Sequence, residues 1–193
     1  MLPCVPPWRR HLRTAVRIPV RSTACRVGCS TRGTTKGRPF AIVDKKQALI
    51  HVYDGAGRLK GVSSALLGEA PGDHTVPGVG KRAAAGHVPF HERTTPAGRF
   101  RSEPGRNLHG EHVVWVDYDS AFAIHRVRPG PSLRHREARL ASASPGDNRA
   151  SLGCVVVPVK FYRDVVMQML GRARGVVYVL PEQGSIFELF HSH

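Results

Sequence analysis

Cys154 stands in the run "NRASLGCVVVP", residues 148–158, directly after a glycine and before three valines. A thiol attacks only as its thiolate, and free cysteine has a pKa near ~8.5, so a nucleophilic cysteine needs a base beside it. Histidine supplies one within hydrogen-bond reach. The chain has 11 histidines, so only context singles one out. In "AFAIHRV", His125 ends an apolar strand, at a rim where its side chain can face a cleft. Cys154 and His125 together could make a nucleophile and its base. Gly153 would let a substrate carbonyl approach the backbone closely, and fixed N–H donors there would face the developing oxyanion. The competing reading is packing. Free cysteine behaves as a small buried hydrophobe, and a histidine at a strand end can be structural.

Holding such a pair requires strands, and the chain reads as mainly β. "FAIVDKKQALIHVYDGAGRLKGVSSALLG" predicts an antiparallel meander with strands over 40–43, 48–53 and 59–67. "DGAG" is its hairpin signal, because Gly and Asp tolerate positive φ. Residues 68–89 form a long connection rich in Gly, Pro and His, and long loops in compact domains are often functional. "TTPAGRF" reads as a proline turn entering a strand, and residues 112–127 as two strands around "DYDS". Residues 130–148 are polar, arginine-rich and expected to loop. The valines after Cys154 make a strand, and Pro158 opens one principal helix, with Phe161, Val165 and Met169 on its inner face. "GVVYVL" is a buried strand. The predicted architecture is a sandwich or barrel of short strands with one principal α-helix.

The chain's 193 residues carry a net charge of +15. Nine arginines and lysines precede the first acidic residue, Asp44. That stretch lacks apolar periodicity and a secretory h-region. It therefore reads as a basic, disordered segment, 1–37, ahead of a catalytic domain over 38–182 and a tail over 183–193. Nothing is long and apolar enough to span a membrane. Basic tails often bind polyanions, but no nucleic-acid recognition motif is present. Cys4, Cys25 and Cys29 lie in the basic segment, so Cys154 has no disulfide partner within the domain. "HGEH" (109–112) and "HVPFH" (87–91) match no zinc-protease pattern, and neither a metal nor a cofactor is expected.

"AIHRV" followed by "NRASLGCVVVP" resembles the catalytic signature of L,D-transpeptidases of the YkuD type. "TTPAGRF" is similar to that family's Thr-Pro-x-Gly-x-Phe turn, and the opening meander to its first hairpin. The four segments agree in order over residues 39–182. The resemblance implies that Cys154 is the nucleophile and His125 the base. It also implies that Gly153 and Cys154 N–H groups bind the oxyanion, that Ser151 shapes the pocket, and that Arg149 pairs with a substrate carboxylate. It further implies a monomeric periplasmic enzyme of the cell envelope acting on peptidoglycan stem peptides through a thioester. An amine acceptor would give a crosslink, and water would make it an L,D-carboxypeptidase. The alternative is a non-catalytic peptidoglycan-binding envelope protein on the same fold. Leu152 stands where the family carries histidine, Val156 where it often carries Asn or Arg, and Arg126 where a small residue is common. The 26-residue gap from His125 to Ser151 is wide, and its Arg134, Arg136 and Arg139 suggest a basic lid over the cleft.

Overall fold

The computed structural model describes residues 35–184. Most of the basic segment 1–37, with Cys4, Cys25 and Cys29, lies outside the described residues, as does the tail from residue 185. The strands are β1 (Phe40–Asp44), β2 (Leu49–Tyr53), β3 (Leu59–Ser64), β4 (Leu67–Gly68), β5 (Gly98–Arg106), β6 (His112–Asp117), β7 (Phe122–Arg126), β8 (Arg149–Ser151), β9 (Val155–Val157) and β10 (Gly175–Val179). Helix α1 (Val79–Ala84) lies between β4 and β5, and α2 (Leu133–Ala141) between β7 and β8. Helix α3 joins β9 to β10 through Val159–Phe161, Tyr162–Val166 and Met167–Met169, widening to π geometry in its middle segment.

Alternation along β1 divides its side chains between two faces. Ala41 and Val43 join the main core with Ile50, Val114, Ile124, Val155, Val177 and Val179. Phe40 and Ile42 face the other way, into a second cluster with Tyr53, Val176 and Tyr178. The β2–β3 turn follows its sequence signal: Asp54 Oδ1 accepts the N–H groups of Ala56 and Arg58, each at 3.0 Å, and Gly57 adopts φ 77°.

Eight strands form one sheet in the order β3-β2-β1-β10-β5-β6-β7-β9. Its two edges nearly meet. Just past β3, Leu66 donates to Val156 O of β9 (2.7 Å) and accepts from Val156 N (2.9 Å). The sheet thus curls into a barrel-like, mainly β domain, as predicted. β7 and β9 run parallel, as do β1 and β10. A parallel neighbour demands a long crossover; α2 lies in the first, and α3 leads into β10. No helix among the described residues is long and apolar enough to cross a membrane.

Three expectations are corrected. Residues 130–148 are not a loop: α2 forms there, followed by a 3₁₀ turn at Pro145–Asn148. Its one fully buried residue, Leu140, packs with Leu66, Val127 and Val156, and half-buried Leu133 packs against the same cluster. So few apolar positions leave no period to read. The strand expected over 59–67 breaks after Ser64, and Leu67–Gly68 instead pairs with β8 in a separate two-stranded sheet. In α3 the buried residues are Tyr162, Val166 and Leu170, with Phe161, Val165 and Met169 half-buried beside them. Two adjacent apolar rows run along this helix, and both pack against the main core, the Tyr162/Val166/Leu170 row more deeply.

Candidate active site

Parallel pairing sets Ile124 opposite Val155 and His125 opposite Val156. Cys154 precedes Val155, and His125 follows Ile124. They are therefore a diagonal pair on neighbouring strands, with Cα atoms roughly 8 Å apart from strand spacing and rise. His125 Nδ1 lies 2.8 Å from Arg126 O. A carbonyl can only accept, so Nδ1 carries the proton and Nε2 keeps its lone pair. That is the tautomer a general base needs. Cys154 Sγ donates to Ala121 O (3.4 Å), a carbonyl delivered by the "DYDS" turn, where Ala121 takes φ 52°.

Burial dominates the electrostatics. It lowers the His125 pKa to about 4; the Arg128 and Arg136 charges push the same way, against the Arg126 carbonyl and Glu111. Burial raises the Cys154 thiol, opposed by a backbone hydrogen bond with Ala123 and by the Arg128 charge. The resting pair is thus neutral thiol and neutral imidazole. A nucleophilic role for Cys154 would therefore need proton transfer to a base as substrate arrives, not a standing ion pair. Carbamidomethylation of Cys154 is accordingly expected to accelerate with pH to beyond ~8.5, the ordinary thiol value. A rate that plateaus below neutral pH, followed by mass spectrometry, would refute this neutral ground state.

The loop before Cys154 is held by three contacts. Ser151 Oγ donates to Cys154 O (2.6 Å) and accepts the Gly153 N–H (3.1 Å). Ser151 thus ties the turn together rather than lining a pocket, and the Gly153 N–H is engaged in that turn. Gly153 O accepts from Thr95 Oγ1 (2.9 Å), which also accepts the Gly68 N–H (2.8 Å). Gly153 has φ 131°, and a Cβ there would sit 2.9 Å from Thr94 O. Gly153→Ala should therefore cost about 1–3 kcal/mol in strain and contact, read by urea denaturation. Wild-type stability in that variant would contradict the close approach.

Arg149 is placed differently from its expected substrate role. Its guanidinium pairs with Glu182 and reaches Gly68 O and Lys45 O (3.4 Å each). Beside it lies Lys45, whose side chain is 0% exposed. Lys45 Nζ donates to Gly72 O (2.6 Å), Asp73 Oδ1 (2.6 Å) and Thr95 O (2.9 Å), with Glu182 Oε2 at 3.8 Å. Asp73 also accepts the N–H groups of Glu182, Gln183 and Gly184. Two cations and two carboxylates thus balance in one cluster. Burial lowers the Lys45 pKa against the pull of Asp73. Sequence reasoning missed Lys45 and Thr95. "TTPAGRF" was read as a turn, but nothing local shows that its second threonine carries the cysteine loop on one side and a buried lysine on the other.

A cavity of about 90 Å³ opens at Cys154, lined by Val79, Glu92, Thr94, Ala121, Leu152 and Gly153 among others. Helix α1 walls it. Gly80 lets α1 approach the "DYDS" turn, since a Cβ there would meet Asp119 O at 2.2 Å. Glu92 is held by Arg82 Nε (2.6 Å). Leu152, which lines the cavity, is 47% exposed. Val156 is buried at 5% and packs against α2. A polar residue there would face an apolar helix anchor.

The basic lid is corrected too. Arg136 donates to Arg128 O (2.9 Å), and Arg139 to Arg149 O (2.8 Å), so both fasten α2 to the fold; Arg134 is exposed. Glu111 of "HGEH" bridges Arg126 (2.8 Å) and Arg128 (2.9 Å), and His112 Nδ1 lies 3.0 Å from Tyr162 Oη.

No protein-family model and no curated protein matches this sequence. Among solved structures, the chain is similar to the helical cell shape determining protein Pgp2 (K307A mutant) of Campylobacter jejuni, at 12% identity and TM-score 0.47, over 76% of this chain and 48% of that one. It is also similar to a fused Zn-dependent amidase/peptidase/peptidoglycan-binding domain-containing protein of Clostridium acetobutylicum, at 14% identity and TM-score 0.41, over 83% and 61%. A third is the catalytic domain of the E. faecium L,D-transpeptidase, at 17% identity and TM-score 0.36, over 75% and 98%. The chain spans about half to three fifths of the length of the first two.

Proposed function

We propose that this chain is a cysteine-dependent acyltransferase acting on peptidoglycan stem peptides, with Cys154 as nucleophile and His125 as general base. The observation that carries the reading is the parallel pairing of β7 and β9. It brings the two motifs of the family signature, 29 positions apart from His125 to Cys154, onto adjacent strands, with Cys154 lining a cavity. His125 Nε2 takes the thiol proton as Sγ attacks the stem-peptide carbonyl. The Cys154 N–H faces the oxyanion, and the imidazolium returns its proton to the leaving amine. An amine then attacks the thioester carbonyl, giving a crosslink and free thiol; attack by water would make the enzyme an L,D-carboxypeptidase. This reading assigns the work to the cell envelope and to the domain over 38–182.

Incubation with purified muropeptides tests it, with mass spectrometry of products and of the protein. Dimers, or loss of a terminal residue, together with a transient adduct on Cys154 are expected. A second reading, a non-catalytic peptidoglycan-binding protein, is favoured by the neutral resting pair and by the Cys154 thiol donating to Ala121 O rather than to His125. Binding of muropeptides without adduct or turnover would select it.

A further inference from the structure

A second cavity, of about 370 Å³, lies outside the Cys154 site. It is lined by Arg38, Arg101, Glu103, Trp115, Tyr118 and Arg174 among others. The topology builds it. β1 and β10 are parallel neighbours, so Arg38 and Arg174, each just ahead of one of them, arrive together. Arg101 is opposite Val176, and Glu103 opposite Trp115. The only acidic residue in this lining, Glu103, lies 3.3 Å from Arg174 Nε. Arg38 and Arg101 form no ion pair among the described residues. Three guanidinium groups against one carboxylate leave a net positive cavity.

The aromatic wall is built rather than incidental. Trp115 and Tyr118 stack at 4.5 Å with 27° between their planes. Trp115 Nε1 donates to Arg106 O (3.3 Å). Gly105 makes room for the pair, because a Cβ there would meet Trp115 Cδ1 at 2.5 Å and Tyr118 Oη at 3.3 Å. The indole is thus pinned across β5 with its polar edge satisfied, while Tyr118 stays 57% exposed. The cavity is near the lower end of ligand-sized clefts, roughly 300–1,000 Å³.

We propose that this cavity binds an acidic saccharide, with the Trp115–Tyr118 wall against the sugar ring and Arg38, Arg101 and Arg174 on its carboxylate or phosphate. Guanidinium groups clamp both anions in a bidentate way. Convergent arginines beside one aromatic wall suit one charged group on one ring. A nucleic-acid strand needs instead a cationic track with successive stacking faces. The choice of a sugar as the ring rests on the cell-wall reading; the cationic cavity and its wall do not.

The test uses the full chain with Trp8→Phe, so that emission reports Trp115. It is titrated with trigalacturonate, with neutral cellotriose, with AMP and with a short single-stranded DNA. Saturable change with trigalacturonate is expected, at least tenfold tighter than with cellotriose. It should weaken at least tenfold in Arg101→Gln/Arg174→Gln and persist in Cys154→Ser. Both arginines are exposed, and circular dichroism checks their fold. No saturable change, or equal affinity in the double variant, would overturn the proposal, as would tighter binding of AMP or DNA. Turnover on muropeptides is untouched by any of these outcomes, so a failure here and a failure of the acyl-transfer reading are told apart.

Discussion

Cys154→Ser should lower acyl transfer by a factor on the order of 10⁴ or more, while the thermal midpoint stays within the effect of about 1 kcal/mol. The first half follows from covalent catalysis: with no thiolate there is no thioester, and removal of a nucleophile commonly leaves only residual binding and oxyanion effects. The second follows from the site. A serine hydroxyl keeps a donor for Ala121 O, and the residue is only half-buried among Leu66, Val156 and their neighbours. The assay belongs in a background where Cys4, Cys25 and Cys29 are serine, so that no other thiol substitutes. His125→Gln should cost less, about 10²–10⁴, the usual range for a positioned base. Turnover retained in Cys154→Ser would end the thioester mechanism.

The largest expected loss of stability is at Lys45. Lys45→Met removes the ammonium from between Asp73, Glu182, Gly72 O and Thr95 O, leaving Arg149, paired with Glu182, as the one cation beside two carboxylates and Asp73 with backbone N–H donors only. Breaking one side of a buried ion pair costs about 3–5 kcal/mol, because the remaining charge stays desolvated. For a chain of this size that is a fall of roughly 6–20 °C in thermal midpoint. Lys45→Met/Asp73→Asn should recover part of it, since both charges leave together. Because Lys45 holds Thr95 O and Thr95 holds Gly153 O, acyl transfer in folded Lys45→Met should fall too. A single variant within about 1 kcal/mol of wild type, by urea denaturation, would show that the cluster is not a buried, coupled unit.

Much of this protein was legible one residue at a time. The "DGAG" and "DYDS" turns, the β1 and β2 runs and the Val155–Val157 strand follow local rules of backbone freedom and alternation, and each stands where those rules put it. Cys154 and His125 could be named because their neighbours matched a pattern in order. What local patterns could not settle was the destination of polar side chains. Arg149 and the α2 arginines bear the charge that a carboxylate-binding lid would need. A guanidinium serves equally to close a buried carboxylate cluster or to tie down backbone carbonyls, and only the fold supplies those partners. Helix α2 escapes local reading because only Leu133 and Leu140 dock it, and two apolar positions make no clear periodicity.

Sequence alone therefore determined the strand-rich class, the turns and the identity of the sulfur and the imidazole that could do chemistry, because these depend on a residue and its near neighbours. Tertiary structure alone decided that β7 and β9 are parallel neighbours, which sets Cys154 diagonally across from His125. It also decided that Lys45, Asp73, Arg149 and Glu182 neutralise one another beneath Thr95, and that both resting partners are uncharged. Each of these is a property of segments far apart in the chain: pairing register, charge balance and desolvation exist only once the sheet has closed.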